Sequence, residues 1–235
     1  MKISQGMIRD FYNEDYCKTK FESIYFKNHK LQMSDAMLNG LVFEQKVIGM
    51  SRGGEIFSFP KLKNGKDSKR EIDINELSEF AKETIKKLNI KLLDIQPEWE
   101  TDELIGHPDA LIEWNGEKCI LDLKFTSTKE DDSCRWNPHA WGKDMEYKDF
   151  TQAIHYVEMY YRMTGEYLPF FYLVFGKSGW VKFINVDISA ESMIDHNNKI
   201  KKFKKDIKKF KATKCENYRC EFCKHEKPNL IIINI

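Results

Sequence analysis

No stretch of this chain approaches the ~18 consecutive apolar residues that a membrane-spanning helix needs, so no such helix is expected. A surplus of one charge sign is missing as well. Against 37 Asp and Glu stand 38 Lys and Arg, a formal net charge of +1, which argues against a protein that binds nucleic acid through bulk positive charge. The first residues, MKISQGMIRDFYNEDY, carry charges where a signal peptide has its apolar core, so the expected location is the cytoplasm. Six cysteines in that setting are expected as thiols or metal ligands rather than disulfides. The sequence also lacks an internal repeat, a low-complexity linker, a Ser/His/Asp set, a P-loop and a dinucleotide-binding glycine pattern. Triad hydrolases, NTPases and dehydrogenases therefore have no support, and neither does any helicase machinery.

What is present describes a soluble globular chain. Its 235 residues, 41 % hydrophobic and 32 % charged, suffice for one substantial domain that buries roughly 70 % of its unfolded surface without help from disulfides. The first 30 or so residues are aromatic and basic and suit one or two short helices. Ser34 reads as the N-cap of a helix with Met37, Leu41, Val47 and Ile48 on its apolar stripe, and this helix carries Glu44. A loop or hairpin is expected from Gly53 to Arg70, and a second helix from Asn75 to Leu88.

The period then changes. Lys91 to Glu98, Glu103 to Trp114 and Glu117 to Phe125 read as three antiparallel strands, the last two joined at Asn115-Gly116, a strong hairpin signal. A polar loop from Thr126 to about Tyr147 precedes a helix over Asp149 to Met163, with Gly165 placed as its C-cap. Two more strands, Leu168 to Phe175 and Trp180 to Ile188, follow. The chain turns helical again from Ser189, ending in a basic helix over Lys199 to Lys214, three cysteines and an apolar tail, NLIIINI. The simplest division is a core over 1–190, including the N-terminal helical segment with Cys17, and a C-terminal appendage over 191–235 packed on it.

The hairpin carries the chemistry. Asp109 lies in GHPDALIEW and Asp122 in CILDLKF, and a turn at Asn115-Gly116 brings these carboxylates together, while strand alternation puts Lys124 on the same face as Asp122. Like charges that approach in a protein interior repel unless a cation separates them, and a hard divalent ion such as Mg2+ or Mn2+ meets that need. Lys124 beside it suits charge developing on a phosphate. Taken alone, Asp-x-Lys also fits an exposed strand edge studded with charges. Asp94 to Glu117 holds eight acids and no Lys or Arg, the composition of a cation site.

Glu44, then Gly106-x-x-Asp109, then Asp122-Leu123-Lys124, then Gln152 and Tyr156 on one helical face, in that order, resemble the PD-(D/E)xK nuclease superfamily, and within it the RecB-like branch of exonucleases. The likeness runs from about Asp35 to Ile188. It implies an α+β (α/β) restriction-endonuclease-like core, with a central mixed sheet flanked by helices and a basic, cysteine-rich C-terminal appendage. It further implies a metal-dependent exodeoxyribonuclease of a bacterium or phage-infected host, acting on single-stranded DNA or duplex ends in recombination, repair or phage DNA metabolism. By that resemblance Glu44, Asp109, Asp122 and the Leu123 carbonyl hold Mg2+ or Mn2+, and Lys124 is the catalytic lysine. Gln152 and Tyr156 position the site and the strand; apart from the other motifs they read as a helix-surface residue and a core aromatic. Protein partners expected on the same ground are a single-strand annealing protein or a helicase. The competing reading is a DNA-binding recombination accessory protein that keeps the fold with little cleavage.

Cys215, Cys220 and Cys223 follow a Cys-x4-Cys-x2-Cys spacing, and Cys17 stands alone near the other end. Iron-sulfur members of the same branch use one early and three late cysteines, which implies a 4Fe-4S cluster here; zinc is the alternative, including a site with His225 in place of Cys17. Reactive thiols in a basic tail are the plain reading. Cys119 is expected in the core and Cys134 in a loop. Lys201, Lys204, Lys205 and Lys208 are expected to face a phosphate backbone while Ile200, Phe203, Ile207 and Phe210 anchor their helix; a solvated or membrane-lying helix has the same pattern. Arg135, Trp136 and Trp141 suit either stacking on unpaired bases or a small satellite core.

Overall fold

Asn115 and Gly116 have φ of 51° and 81°, the positive values that a tight two-residue hairpin requires at both central positions. That turn joins β4 (Ala110–Trp114) to β5 (Glu117–Thr126), and β1 (Lys91–Ile95) pairs antiparallel on the far side of β4. The computed structural model describes residues 1–127, 150–217 and 220–223. It divides into two compact units: Met1–Ser4 with Met33–His196, and Gln5–Gln32 with Asn197–Ile235. Among the described residues no helix is long and apolar enough to cross a membrane.

The larger unit holds a five-stranded sheet in the order β1-β4-β5-β6-β7, with β6 spanning Phe170–Gly176 and β7 Val181–Val186. β5 and β6 are parallel and the remaining pairs antiparallel, so the sheet is mixed. Every residue of β6 is buried, as expected for a central strand covered on both faces. On one face lie α3 (Asp35–Ile48) and α4 (Lys69–Lys87), whose Val42, Phe43, Val47, Leu77 and Ala81 join Leu121, Leu123, Phe171, Leu173 and Phe175 in the main core. Alternation along β5 then turns Ile120, Asp122 and Lys124 to the opposite face, the side of α5 (Thr151–Thr164).

Three boundaries differ from the sequence-based expectation. The helix expected from Asn75 begins at Lys69, because Ser68 caps it, its hydroxyl accepting from the Glu71 N–H at 3.2 Å. The strand expected over Glu103–Trp114 is broken. β3 (Ile105–Gly106) pairs with a separate short strand, β2 (Trp99–Glu100), and His107–Asp109 lead from one sheet to the other. Gly106 sits so close to α5 that a Cβ there would meet Met159 Sδ at 2.8 Å and Tyr156 Cε1 at 2.9 Å, and Pro108 has no N–H to give a ladder. The basic helix, expected to reach Lys214, is α6 (Ala190–Asp206) followed by a 3₁₀ turn over Ile207–Lys209.

In the smaller unit, α1 (Gln5–Tyr12) and α2 (Lys18–Tyr25) provide the helical N-terminal segment. Phe11 and Phe203 rings lie 5.0 Å apart and Phe21 and Phe210 rings 5.2 Å apart, an aromatic cluster built from both ends of the chain. Leaving the helix at residue 206 lets Phe210 join it in an extended conformation. Asp10, buried among these elements, is satisfied by Arg9 at 2.8 Å and by the Tyr25 hydroxyl at 2.8 Å.

Candidate metal and active site

The β4–β5 register pairs Ala110 with Leu121, which brings the residue before β4, Asp109, to the level of Asp122. Both are buried, at 2 % and 0 % exposure. Asp109 is fixed by the backbone, its Oδ2 accepting from the Leu123 N–H at 2.7 Å. Asp122 has no such backbone donor: among the described residues the Lys124 ammonium is the one group in contact with its carboxylate, at Oδ1, and Oδ2 has no partner. A buried carboxylate with unused lone pairs is a costly arrangement that a cation relieves. The Lys124 side chain is 27 % exposed, and its ammonium sits 5.7 Å over the Tyr172 ring. Burial by itself would pull its pKa down, but the carboxylates of Asp122 and Asp109 more than offset that and hold it above the ordinary lysine value.

Glu44, half-buried on α3, accepts from the side-chain amide of Gln96, and the Gln96 backbone N–H donates to the Asp109 carbonyl at 2.8 Å. Through Gln96 the α3 carboxylate is tied to the hairpin that carries the two aspartates. From the other side α5 grips the same turn. Gln152 donates to the Tyr156 hydroxyl at 3.3 Å, and that hydroxyl donates to the His107 carbonyl at 3.0 Å. One residue away, His155 Nε2 lies 3.2 Å from the Ile105 carbonyl and its Nδ1 3.2 Å from His196 Nε2. The carbonyl can only accept, so Nε2 of His155 carries the proton, Nδ1 accepts, and His196 donates. Burial and the neighbouring His196 push the His155 pKa down to about 3.

Hydrogen bonds thus tie Glu44, through Gln96, and Gln152 with Tyr156 to the turn that carries Asp109, and Asp122 and Lys124 lie on the adjoining strand. Sequence patterning missed Gln96 and the His155–His196 pair. The available signal for Gln96 was a polar residue before Pro97 at the end of an apolar strand. An all-oxygen donor set with unsatisfied carboxylate oxygens suits a hard divalent ion.

The smaller unit holds the second donor set. Cys17, Cys215, Cys220 and Cys223 place their sulfurs within 4.8 Å of one another. Cys17 caps α2, accepting from the Lys20 N–H at 3.4 Å, and its sulfur lies 3.4 Å from Cys223 and 3.7 Å from Cys220. Cys215 and Cys223 are 3.6 Å apart. Burial pushes the Cys223 thiol up, but the Cys215 N–H and the surrounding thiols outweigh it and bring its pKa down to about 6. Such a set of thiols can bind a metal. Tetrahedral sulfurs ~2.3 Å from a single zinc lie about 3.8 Å apart, close to the observed spacing. A 4Fe-4S cluster, with four irons and four sulfides between the thiolates, would require them to spread.

Lys201, Lys204 and Lys205 are exposed on α6 and Lys208 in the turn beyond it, while Ile200 and Phe203 are buried beneath them. Cys119 is a core residue, 1 % exposed. Arg135, Trp136, Trp141, Cys134, His225 and the NLIIINI tail lie outside the described residues.

Residues 106–229 match a family described as a PDDEXK-like domain of unknown function (DUF3799). Among solved structures, a "Putative exonuclease" from Eubacterium rectale is similar to this chain at 18 % identity, covering 99 % of this chain and 91 % of that one, with a TM-score of 0.66. That likeness concerns the fold. SSO0001 matches at 11 % identity over 93 % of this chain and 94 % of its own, with a TM-score of 0.31, too low to carry an argument. No curated protein matches.

Proposed function

The chain belongs to the PDDEXK-like domain family, and from that membership we propose a divalent-metal-dependent deoxyribonuclease, most simply an exonuclease acting on DNA ends. The observation that carries this reading is the buried Asp122, its Oδ2 without a partner among the described residues, flanked by an immobilised Asp109 and the Lys124 ammonium. The exonuclease assignment draws also on the similarity in fold to the putative exonuclease of Eubacterium rectale.

In this reading Glu44, Asp109, Asp122 and the Leu123 carbonyl hold Mg2+ or Mn2+. When bound, the ion supplies Lewis acidity toward a phosphodiester. Asp109 keeps its place because the Leu123 N–H holds it. Lys124, whose pKa the Asp122 and Asp109 carboxylates raise, orients water and offsets negative charge growing on the phosphate. Gln152 and Tyr156 hold the carbonyl of His107, two residues from Asp109, so α5 fixes the turn against the strain of ligand exchange. Lys201, Lys204, Lys205 and Lys208 offer charges to a nucleic-acid backbone. Recombination, repair or phage DNA metabolism is the setting this chemistry suits. Strand separation would fall to a partner such as a helicase or a single-strand annealing protein.

For the thiols, the resemblance to iron-sulfur nucleases implies a 4Fe-4S cluster, whereas sulfur separations of 3.4–3.7 Å favour one zinc ion. Metal analysis and an absorbance spectrum of anaerobically purified protein distinguish the two. One zinc per colourless chain supports the ion, and four irons with a broad visible band support the cluster.

The activity test is incubation with end-labelled single- and double-stranded DNA in Mg2+ or Mn2+. Asp122→Ala and Lys124→Ala should each lower cleavage by about a hundredfold to a thousandfold or more while the fold is retained. DNA binding in EDTA with no cleavage by the wild type would favour the accessory-protein reading instead.

A further inference from the structure

Gln96 stands at the end of β1 in a conformation that its sequence context opposes. Its φ is +53°, in the left-handed region that favours glycine, and it precedes Pro97, a position where sterics favour extended backbone. Such a backbone persists where the surrounding structure over-determines it. Here the Gln96 N–H donates to the Asp109 carbonyl at 2.8 Å and the side-chain amide donates to Glu44.

The orientation of that amide follows from chemistry. An ionised carboxylate only accepts, so the NH2 group must face Glu44 and Oε1 must point away from it. Oε1 is buried, in a residue only 8 % exposed, and among the described residues it has no hydrogen-bond partner. A buried amide oxygen left unused beside the Glu44 carboxylate is unexplained by packing, and amide carbonyl oxygens are ordinary ligands, direct or through water, of hard divalent ions.

We infer that Gln96 is a positioning residue for the divalent ion: its NH2 holds Glu44 in the ligand orientation, and its Oε1 supplies a further oxygen to the ion or to the ion's water shell. This rests on the nuclease reading of the site. Partners of ligands that orient them in this way contribute about tenfold to a hundredfold in metal affinity.

The test is Mn2+ binding, followed by the electron paramagnetic resonance signal of free Mn2+, with no DNA present. Gln96→Gly accepts the left-handed backbone without strain and removes both side-chain roles, so unfolding of the metal-free protein in EDTA should stay near wild type. Its Mn2+ Kd should rise about tenfold, and Glu44→Gln should give a similar loss. Combined, the two should be clearly less than multiplicative, because one acts through the other. Gln96→Asn also tolerates left-handed backbone but is too short to reach, and should weaken binding alike, which keeps the test open if the glycine variant folds poorly. Wild-type affinity in both Gln96 variants, with binding abolished by Asp122→Ala, overturns the role of Gln96 and leaves the nuclease site standing. If Asp122→Ala binds Mn2+ as the wild type does, the site assignment itself fails, and the inference with it.

Discussion

The carboxylates around Asp122 and the thiols around Cys223 are both sets of groups able to bind a cation, yet the fold holds them in different ways. Asp109, Asp122 and Lys124 stand on the rigid hairpin of a central sheet, each placed by strand register, and their supports are hydrogen bonds from α5 and from Gln96. The thiols come from a helix cap and a short irregular segment with no strand register between them, and the contacts that join the two are few: the Thr19 hydroxyl donating to the Thr213 carbonyl at 3.0 Å and the Phe21–Phe210 and His29–Phe222 ring pairs. A scaffold that imposes geometry can keep a ligand set in place without its ion. Ligands that lack such a scaffold depend on the ion for their order.

The sharpest way to break that contrast is to remove one ligand from each set. Cys223→Ser should lose the thiol-bound metal and destabilise its unit by about 3 kcal/mol, roughly 10 °C in Tm for a chain of this size. Asp122→Asn, which leaves Lys124 the nearby Asp109 carboxylate as counter-charge, should cost less than the thiol loss in EDTA, about 1 kcal/mol, while activity is lost. Metal analysis, calorimetry and cleavage assays on the two variants check the contrast, and equal destabilisation by both would abolish it.

Acid should strain the carboxylate site through its support. In the unfolded chain His155 takes up a proton near its ordinary 6.5, whereas in the fold it resists down to about 3. Between those values the unfolded state binds the extra proton, so stability falls as pH falls, by up to about 1.4 kcal/mol per pH unit, and the contribution is fully present only above pH 6.5. Denaturant unfolding at pH 7, 6 and 5 should show that slope, and His155→Gln should flatten it. A slope unchanged by the substitution would show that His155 is not its source.

The smallest effect concerns the lysines of the unit that holds the thiols. Replacing Lys201, Lys204, Lys205 and Lys208 one at a time by Ala should weaken DNA binding only severalfold. For each lysine that faces a phosphate, the slope of log Kd against log salt should shrink by about 0.7 on single strands. Slopes that match the wild type would move the DNA path elsewhere.

Much of the site was legible because it lies on regular structure. Alternation puts Asp122 and Lys124 on one face, Asn115-Gly116 sets the register that brings in Asp109, and the period of α5 pairs Gln152 with Tyr156. Where the reading went astray, a long-range contact had overridden a local pattern. Glu103–Trp114 alternates like one strand, but the close approach of Gly106 to Tyr156 and Met159 splits it. The lysine-rich helix has apolar spacing through Phe210, but the aromatic cluster draws Phe210 out of it.

By itself the sequence determined which residue types were available and in what order: a helix with Glu44, a hairpin with two aspartates and a lysine, a helix with Gln152 and Tyr156, and one early with three late cysteines. Only the tertiary structure decided that Gln96 joins Glu44 to Asp109, that the His155 and His196 rings meet, and that the sulfurs of the four cysteines converge to within 4.8 Å of one another. The physical reason is range. Strand and helix periods act over a few residues and can be read from them, whereas the His155–His196, Glu44–Gln96 and Cys17–Cys223 contacts join positions 41, 52 and 206 residues apart and exist only once burial has folded the chain between them.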